Sequence, residues 1–328
     1  MTHLSGAPAR RHLLLGLACS AVFCAALPVL AQDYPNKPVE LVVSAAAGGG
    51  TDAVARTFSE AARTHFSQPI VVVNKPGAAS SIGFTDVALS KKDGYKMGVI
   101  SVNLAILPAL NLTKVTVEDY SFIARLNNDP SAITVAADAP WKSIEEFLAT
   151  AKQAPEKIRV GNAGTGDAWH VAALALEEKT GTRFTHIPYQ GGNPAVLSLL
   201  GGHLDAVTVS PGEVAQHVAA GKLRVLAVMA DARMPGLFAN TPTLKERGID
   251  LLVGGWRGLA APKGTPPEAL AVLREAMART LREPALRETM AKQNMGEGYL
   301  DEANFKSLIA RDNATFRELI QRLGIKPA

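Results

Sequence analysis

The chain has 328 residues, 47% of them hydrophobic, 20% charged and only 5% aromatic, with a formal net charge of +4. So small an excess, with no run of Lys or Arg, excludes a polyanion-binding patch of the kind nucleic acids need, and the scarcity of aromatic residues argues against stacking surfaces for sugars or single strands. A chain of this length usually exceeds one compact core, which predicts two lobes.

At the N-terminus, Arg10 and Arg11 precede an apolar run from Leu13 to Leu30 that Gly16 and Pro28 interrupt, and Val29-Leu30-Ala31 offers small residues before Gln32. This pattern predicts a secretory signal over 1–31, cleaved near Ala31, and a periplasmic product; an uncleaved anchor is the alternative. The Arg pair leaves the general and twin-arginine export routes both open. Cys19 and Cys24 are the only cysteines and both lie in this segment. The mature chain is therefore expected to lack thiols and to hold together by core burial alone. No later apolar run is long enough to cross a membrane.

From there, short β-rich runs alternate with helical patterns, the signature of mainly parallel sheets covered by helices. Residues 39–43, 70–73 and 97–101 read as buried strands, with helices near 51–66 and 82–89 between them. A second series has strands at 158–160, 184–187, 206–209 and 225–229, with helices near 167–179, 193–200 and 213–219. Ser143 with Glu146 and Thr265 with Glu268 fit capping boxes, and Pro194 and Pro266 sit where a first helical residue tolerates a missing N–H. Beyond Pro266 the chain reads as three helices broken at Pro284 and near Gly296–Gly298, with Leu270, Leu273, Met277 and Leu281 on one stripe.

Two glycine-rich loops join a strand to a helix, one in each series. Ser44-Ala45-Ala46-Ala47-Gly48-Gly49-Gly50-Thr51-Asp52 leads into the helix carrying Arg56, and Gly161-Asn162-Ala163-Gly164-Thr165-Gly166-Asp167 into the helix carrying His170. Glycines let a ligand approach main-chain N–H groups, and a helix start adds unpaired donors and partial positive charge, so each loop is expected to cradle an anion. Asp52 and Asp167 either face that ligand or cap their helices. His170 either reaches the cleft or bonds a neighbouring backbone group.

Enzyme templates fit poorly. Gly48, Gly50 and Ala53 match a dinucleotide fingerprint, but the next strand ends Val73-Asn74-Lys75 without the acidic residue that would hold a ribose. Neither loop continues into Gly-Lys-Ser/Thr, and no Gly-x-Ser-x-Gly elbow occurs. The seven histidines include no pair at helical metal-ligand spacing. No metal, cofactor or catalytic residue is predicted.

Several motifs in order resemble the substrate-binding proteins of tripartite tricarboxylate transporters, the Bug family. They are Tyr34-Pro35-Asn36-Lys37-Pro38, the Ala47-Gly48-Gly49 loop with Asp52 and Arg56, Val73 to Ala78, Asp93-Gly94-Tyr95, the segment from Gly161 to His170, Pro188-Tyr189-Gln190-Gly191-Gly192, Leu200 to Asp205, Ala220 to Leu223, Pro242-Thr243-Leu244, and Trp256 to Pro262. The resemblance covers nearly the whole expected mature chain. It implies a two-lobed periplasmic-binding-protein (flytrap) fold, with lobe 1 at 32–130 plus 257–328, lobe 2 at 131–256, and crossovers near 127–133 and 254–258.

Carried over by position, the resemblance implies a pocket from Ala46, Ala47, Gly48 and Gly49, from Ser101 to Leu104 including Asn103, from Gly164, Thr165, Gly166 and Asp167, from Tyr189 to Gly192 including Gly191, and from Asp205. It also implies a monomer that takes a small organic acid or amino acid and passes it to integral membrane transporter subunits. Alternatives are a receptor for an ABC importer or sensor kinase and, in another class, an exported nucleotide-dependent enzyme. Four positions depart from the family pattern. Ser44 and Ala45 replace a proline and an aromatic residue, Leu107 replaces a frequent asparagine, and Asp167 stands where a small hydroxyl residue is common. A carboxylate at 167 that faced the cleft would favour a ligand with an ammonium or hydroxyl group over a bare dianion.

Overall fold

The computed structural model describes residues 2–3, 34–296 and 298–325. Nearly all of the expected export signal lies outside the described residues, as does its cleavage site. The chain from Tyr34 onward forms one compact unit. It begins β1 (Val39–Val43), α1 (Gly50–Ala61), β2 (Ile70–Asn74), α2 (Ser81–Ala88), β3 (Lys96–Ser101), α3 (Asn103–Ile106) and β4 (Tyr120–Pro130). It continues with β5 (Ala132–Ala136), α4 (Ile144–Gln153), β6 (Arg159–Asn162), α5 (Ala168–Thr180), β7 (Thr185–Pro188), α6 (Gly192–Leu200), β8 (Ala206–Val209), α7 (Pro211–Ala219) and β9 (Leu223–Val228). The last elements are β10 (Gly254–Pro262), α8 (Pro267–Arg282), α9 (Pro284–Lys292) and α10 (Glu302–Arg322).

The strands form two five-stranded sheets, ordered β2-β1-β3-β10-β4 and β7-β6-β8-β5-β9. In each, four strands run one way, and one, β10 or β5, runs antiparallel to both neighbours. The unit β1-α1-β2-α2-β3 in the first sheet repeats as β6-α5-β7-α6-β8 in the second. Each sheet with its helices makes one lobe of the expected α/β flytrap. The chain leaves the first sheet between Pro130 and Ala132 and returns between Val228 and Gly254. Ser131 N–H donates to Val253 C=O at 2.8 Å, so the two crossings run side by side.

Burial follows from the sequence pattern. Val39, Leu41, Val42 and Val43 are all buried, as expected of a strand with helices on both faces. The α8 stripe Leu270, Leu273, Met277 and Leu281 packs with Phe58 of α1 and Met97 of β3 on one face of the first sheet. The opposite face joins a core that runs through Val102, Trp169 and Trp256 into the second sheet. Phe305 of α10 is fully buried, edge-on to Phe122 and Trp256.

Three strands escape the sequence pattern. β4 carries Asn127, Asn128, Asp129 and Pro130, and β10 opens with paired glycines, so both read as loops until tertiary pairing shows them as partners. β5, only five residues long, is also recognised through its partners β8 and β9. Two helix-start expectations need correction. The Thr265 hydroxyl donates to Pro262 C=O at 2.8 Å and caps nothing, because Pro266 takes the N-cap position and α8 starts at Pro267. Pro194 lies at the third position of α6, still within the turn that lacks internal partners. Ser143 does cap α4, accepting from Glu146 N–H at 3.2 Å. Among the described residues no helix is long and apolar enough to cross a membrane.

Replacing Phe305 by Ala removes the side chain that fixes α10 onto β4 and β10, and should cost about 3–5 kcal/mol in urea unfolding. A loss under about 1 kcal/mol would show that α10 is an appendage and not part of the core.

Candidate functional site

The loops at the sheet ends enclose a cavity of about 60 Å3 between the two lobes. The first lobe supplies Ala46, Gly49, Gly50 and Thr51 at the start of α1, Ala79 and Ser80 before α2, and Ser101 and Asn103 after β3. The second supplies Asp167 and Ala168 at the start of α5, Gln190 to Gly192 at the start of α6, and Glu213 of α7. Gly255, Trp256 and Arg257 of β10 complete the wall.

Arg257 is 4% exposed and every part of its guanidinium is engaged. Nη1 pairs with Asp129 of β4, Nε donates to the Thr51 hydroxyl at 2.9 Å, and Nη2 lies 3.8 Å from the Glu213 carboxylate. One residue thereby ties together both crossing strands, α1 and the second lobe. Glycine is required beside this cluster. A Cβ on Gly192 would sit 1.8 Å from Glu213 Oε2, and one on Gly50 would sit 2.9 Å from Arg257 Nη2.

The helix starts at the cavity divide into two kinds. α1 follows Gly49 and α6 follows Gly191, neither of which has a side chain to cap with, so their first N–H groups have no capping partner among the described residues, and Gly50, Thr51 and Gly192 line the cavity. α5 is different. Asp167 Oδ1 accepts from Trp169 N–H at 2.9 Å and His170 N–H at 3.1 Å, and Asn103 Oδ1 accepts from Ala168 N–H at 3.0 Å. The second anion cradle expected from the loop sequence is therefore already filled by side chains, and the open donors of the second lobe belong to α6. α7 is likewise closed, by a reciprocal cap between Ser210 and Glu213.

Asp167 caps α5 and also lines the cavity. One oxygen caps α5, while among the described residues the other has only the Asn103 amide nitrogen, 3.5 Å away, and the side chain is 4% exposed. Burial pushes its pKa up to about 7, against the pull of the His170, Asn103 and Trp169 hydrogen bonds, and nearby Glu213 adds to the rise.

Of the residues expected at the pocket, Ala46, Gly49, Ser101, Asn103, Asp167 and Gly191 line the cavity. Ala47, Gly48, Gly164, Thr165 and Gly166 do not, and they shape the loops instead; Ala47 C=O accepts from Asn193 of the opposite lobe at 3.3 Å. Asp52 turns inward to bind Gly48 N–H, Arg56 and Asn74. Burial works to raise its pKa, but those three hydrogen bonds outweigh it and hold the carboxyl below its ordinary value. His170 makes the backbone bond and not the cleft contact, with Nδ1 accepting from Gly166 N–H at 3.1 Å. Burial and the adjacent His186 ring push it down to about 4. Tyr189 bonds Ser198 at 2.5 Å, and Asp205 is held by Arg159 at 2.9 and 3.0 Å, so neither reaches the cavity. Glu213 and Arg257 are missing from the sequence reading because no local motif marks them. Trp256 to Pro262 stands out only as part of the family pattern. No cluster of three metal-ligating side chains occurs among the described residues.

Two α/β lobes joined by paired crossings, with a cavity between them, define a solute-binding protein. The chain matches the family described as tripartite tricarboxylate transporter family receptor over residues 54–325, and it belongs to that family. It is 33% identical to the UPF0065 protein in the gbd 5' region of Cupriavidus necator, over 97% of this chain and 99% of that one. A TctC solute-binding protein from Polaromonas, crystallised with no ligand, is 51% identical and superposes with a TM-score of 0.65 over 88% of this chain and 99% of its own. The periplasmic binding protein BugD is 31% identical, with a TM-score of 0.85 over 89% and 99%. The Bug-family resemblance read from the motifs is thereby confirmed.

With a raised pKa, Asp167 keeps a proton in the folded chain that the unfolded chain gives up above about pH 4. Its contribution to stability is therefore fully present below that pH and is lost as pH climbs toward about 7. Asp167→Asn keeps a capping oxygen without the titration. Between about pH 5 and about pH 7 the variant should gain on wild type by up to ~1.4 kcal/mol per pH unit in urea unfolding. Parallel pH profiles would mean that Asp167 stays ionised in the folded state.

Proposed function

We propose that this chain is an extracytoplasmic receptor that captures a small organic carboxylate between its lobes and delivers it to the integral membrane subunits of a tripartite tricarboxylate-type transporter. The observation that carries this reading is the pair of uncapped helix starts, α1 from one lobe and α6 from the other, lining one cavity. Helix N-terminal donors suit a carboxylate, and donors from both lobes meet one solute only when the lobes are closed. By volume, the cavity has room for about four or five water molecules, the bulk of a small acid.

Direct contacts already bridge the lobes, from Asn193 to Ala47, Asn103 to Ala168 and Glu213 to Arg257. The comparisons support a movable arrangement. The ligand-free Polaromonas protein, though 51% identical, superposes less well overall than BugD does at 31%, which is what a different setting of similar lobes produces. Delivery to a transporter and export to the periplasm rest on family membership together with the signal-like N-terminus.

The test is titration calorimetry with mono-, di- and tricarboxylates on wild type and two variants. Thr51→Pro deletes a cavity-facing N–H at a helix position that tolerates proline, while Thr51→Val removes only the hydroxyl. Thr51→Pro should weaken the best acid by about 1.5–3 kcal/mol, and the Val variant by much less. Equal affinities in all three proteins would overturn the proposed contact, and no binding of any acid would overturn the receptor reading.

A further inference from the structure

Three charged side chains line the cavity, Asp167, Glu213 and Arg257. Arg257 is the single cation among them, and Asp129, Thr51 and Glu213 already occupy its nitrogens. Counting Asp129 behind it, the site holds three carboxyl groups to one guanidinium, and two of them, Asp129 and Glu213, lie against it. A solute carrying only carboxylates finds open donors at α1 and α6 for one anionic group and, among the described lining residues, no uncommitted cation for a second. Asp167 Oδ2 meanwhile points to a ligand group of the opposite kind. It belongs to a side chain more than nine-tenths buried, and among the described residues its one neighbour within hydrogen-bonding reach is an amide nitrogen at the 3.5 Å limit that also donates to Ala79 C=O at 3.1 Å.

We infer that the solute is a zwitterion, with a carboxylate on the free N–H groups of α1 and α6 and an ammonium group on Asp167 Oδ2. This rests on the receptor reading above and names its ligand class. An ammonium group donates only, so it satisfies the under-used oxygen, and its charge offsets the surplus of carboxylates in a site where unpaired charge is costly. The raised pKa of Asp167, caused first by burial, agrees with a carboxyl that has no cationic partner among the described residues.

The experiment uses acids matched except for one substituent: succinate, malate and aspartate; glutarate, 2-hydroxyglutarate and glutamate; phenylpropionate, phenyllactate and phenylalanine. Binding to the full-length mature protein is measured at about pH 8, where Asp167 is ionised. In the series that fits the cavity, the amino member should bind at least about tenfold more tightly than the unsubstituted and hydroxyl members. In Asp167→Asn and Asp167→Ser, both able to cap α5, the unsubstituted acid should gain affinity and the ratio should fall to near one or reverse. Unsubstituted or hydroxyl members binding wild type as tightly as the amine, or variants that keep the ratio, would overturn the zwitterion inference and leave the carboxylate receptor standing. Failure of all nine acids to bind would overturn both.

Discussion

The buried guanidinium of Arg257 organises the centre of this molecule. An isolated charge cannot be taken out of water without several kcal/mol of compensation, so the fold must bring partners to it. They come from three places distant in sequence: Asp129 on β4, Thr51 in the first turn of α1, and Glu213 in the first turn of α7. Satisfying one side chain therefore sets the crossing strands against each other, seats α1 over β10 and draws the second lobe onto the first. The glycines at 50 and 192 let the backbone of both lobes come that close.

The same closeness decides which donors remain for a ligand. Two helix starts at the cavity are capped by side chains, with Asp167 and Asn103 on α5 and Ser210 with Glu213 on α7. Where glycine precedes the helix nothing replaces it, and α1 and α6 keep their donors. The starts of α5 and α7 are thus closed by side chains, while those of α1 and α6 are left for the proposed ligand. A solute joining the latter pair draws its binding energy from both lobes at once, which is the condition for binding to shift an open-to-closed equilibrium.

Much of this architecture is legible in the sequence, because it is local. The strands β1, β2, β3 and β8 show as apolar runs between turn residues, and the loops before α1 and α5 show as glycine clusters. What stays hidden is non-local. β4 and β10 hold Asn, Asp, Gly and Pro because they line the crossing and the cavity, so their composition hides their pairing. Arg257 and Glu213 have meaning only through partners far along the chain. Asp205, within a motif, turns out to belong to an ion pair with Arg159. Asp167 is the instructive case. Its position before a helix forecasts a cap and its departure from the family forecasts a ligand contact, and the two oxygens leave room for both.

The central claim, that α1 and α6 grip one carboxylate between the lobes, is tested most directly by a crystal structure of the protein with a bound acid. The account predicts carboxylate oxygens within about 3 Å of the first N–H groups of both helices, with Arg257 still paired to Asp129. An acid seated outside this cavity, or with its carboxylate on the start of α5 after displacing Asp167, would contradict it.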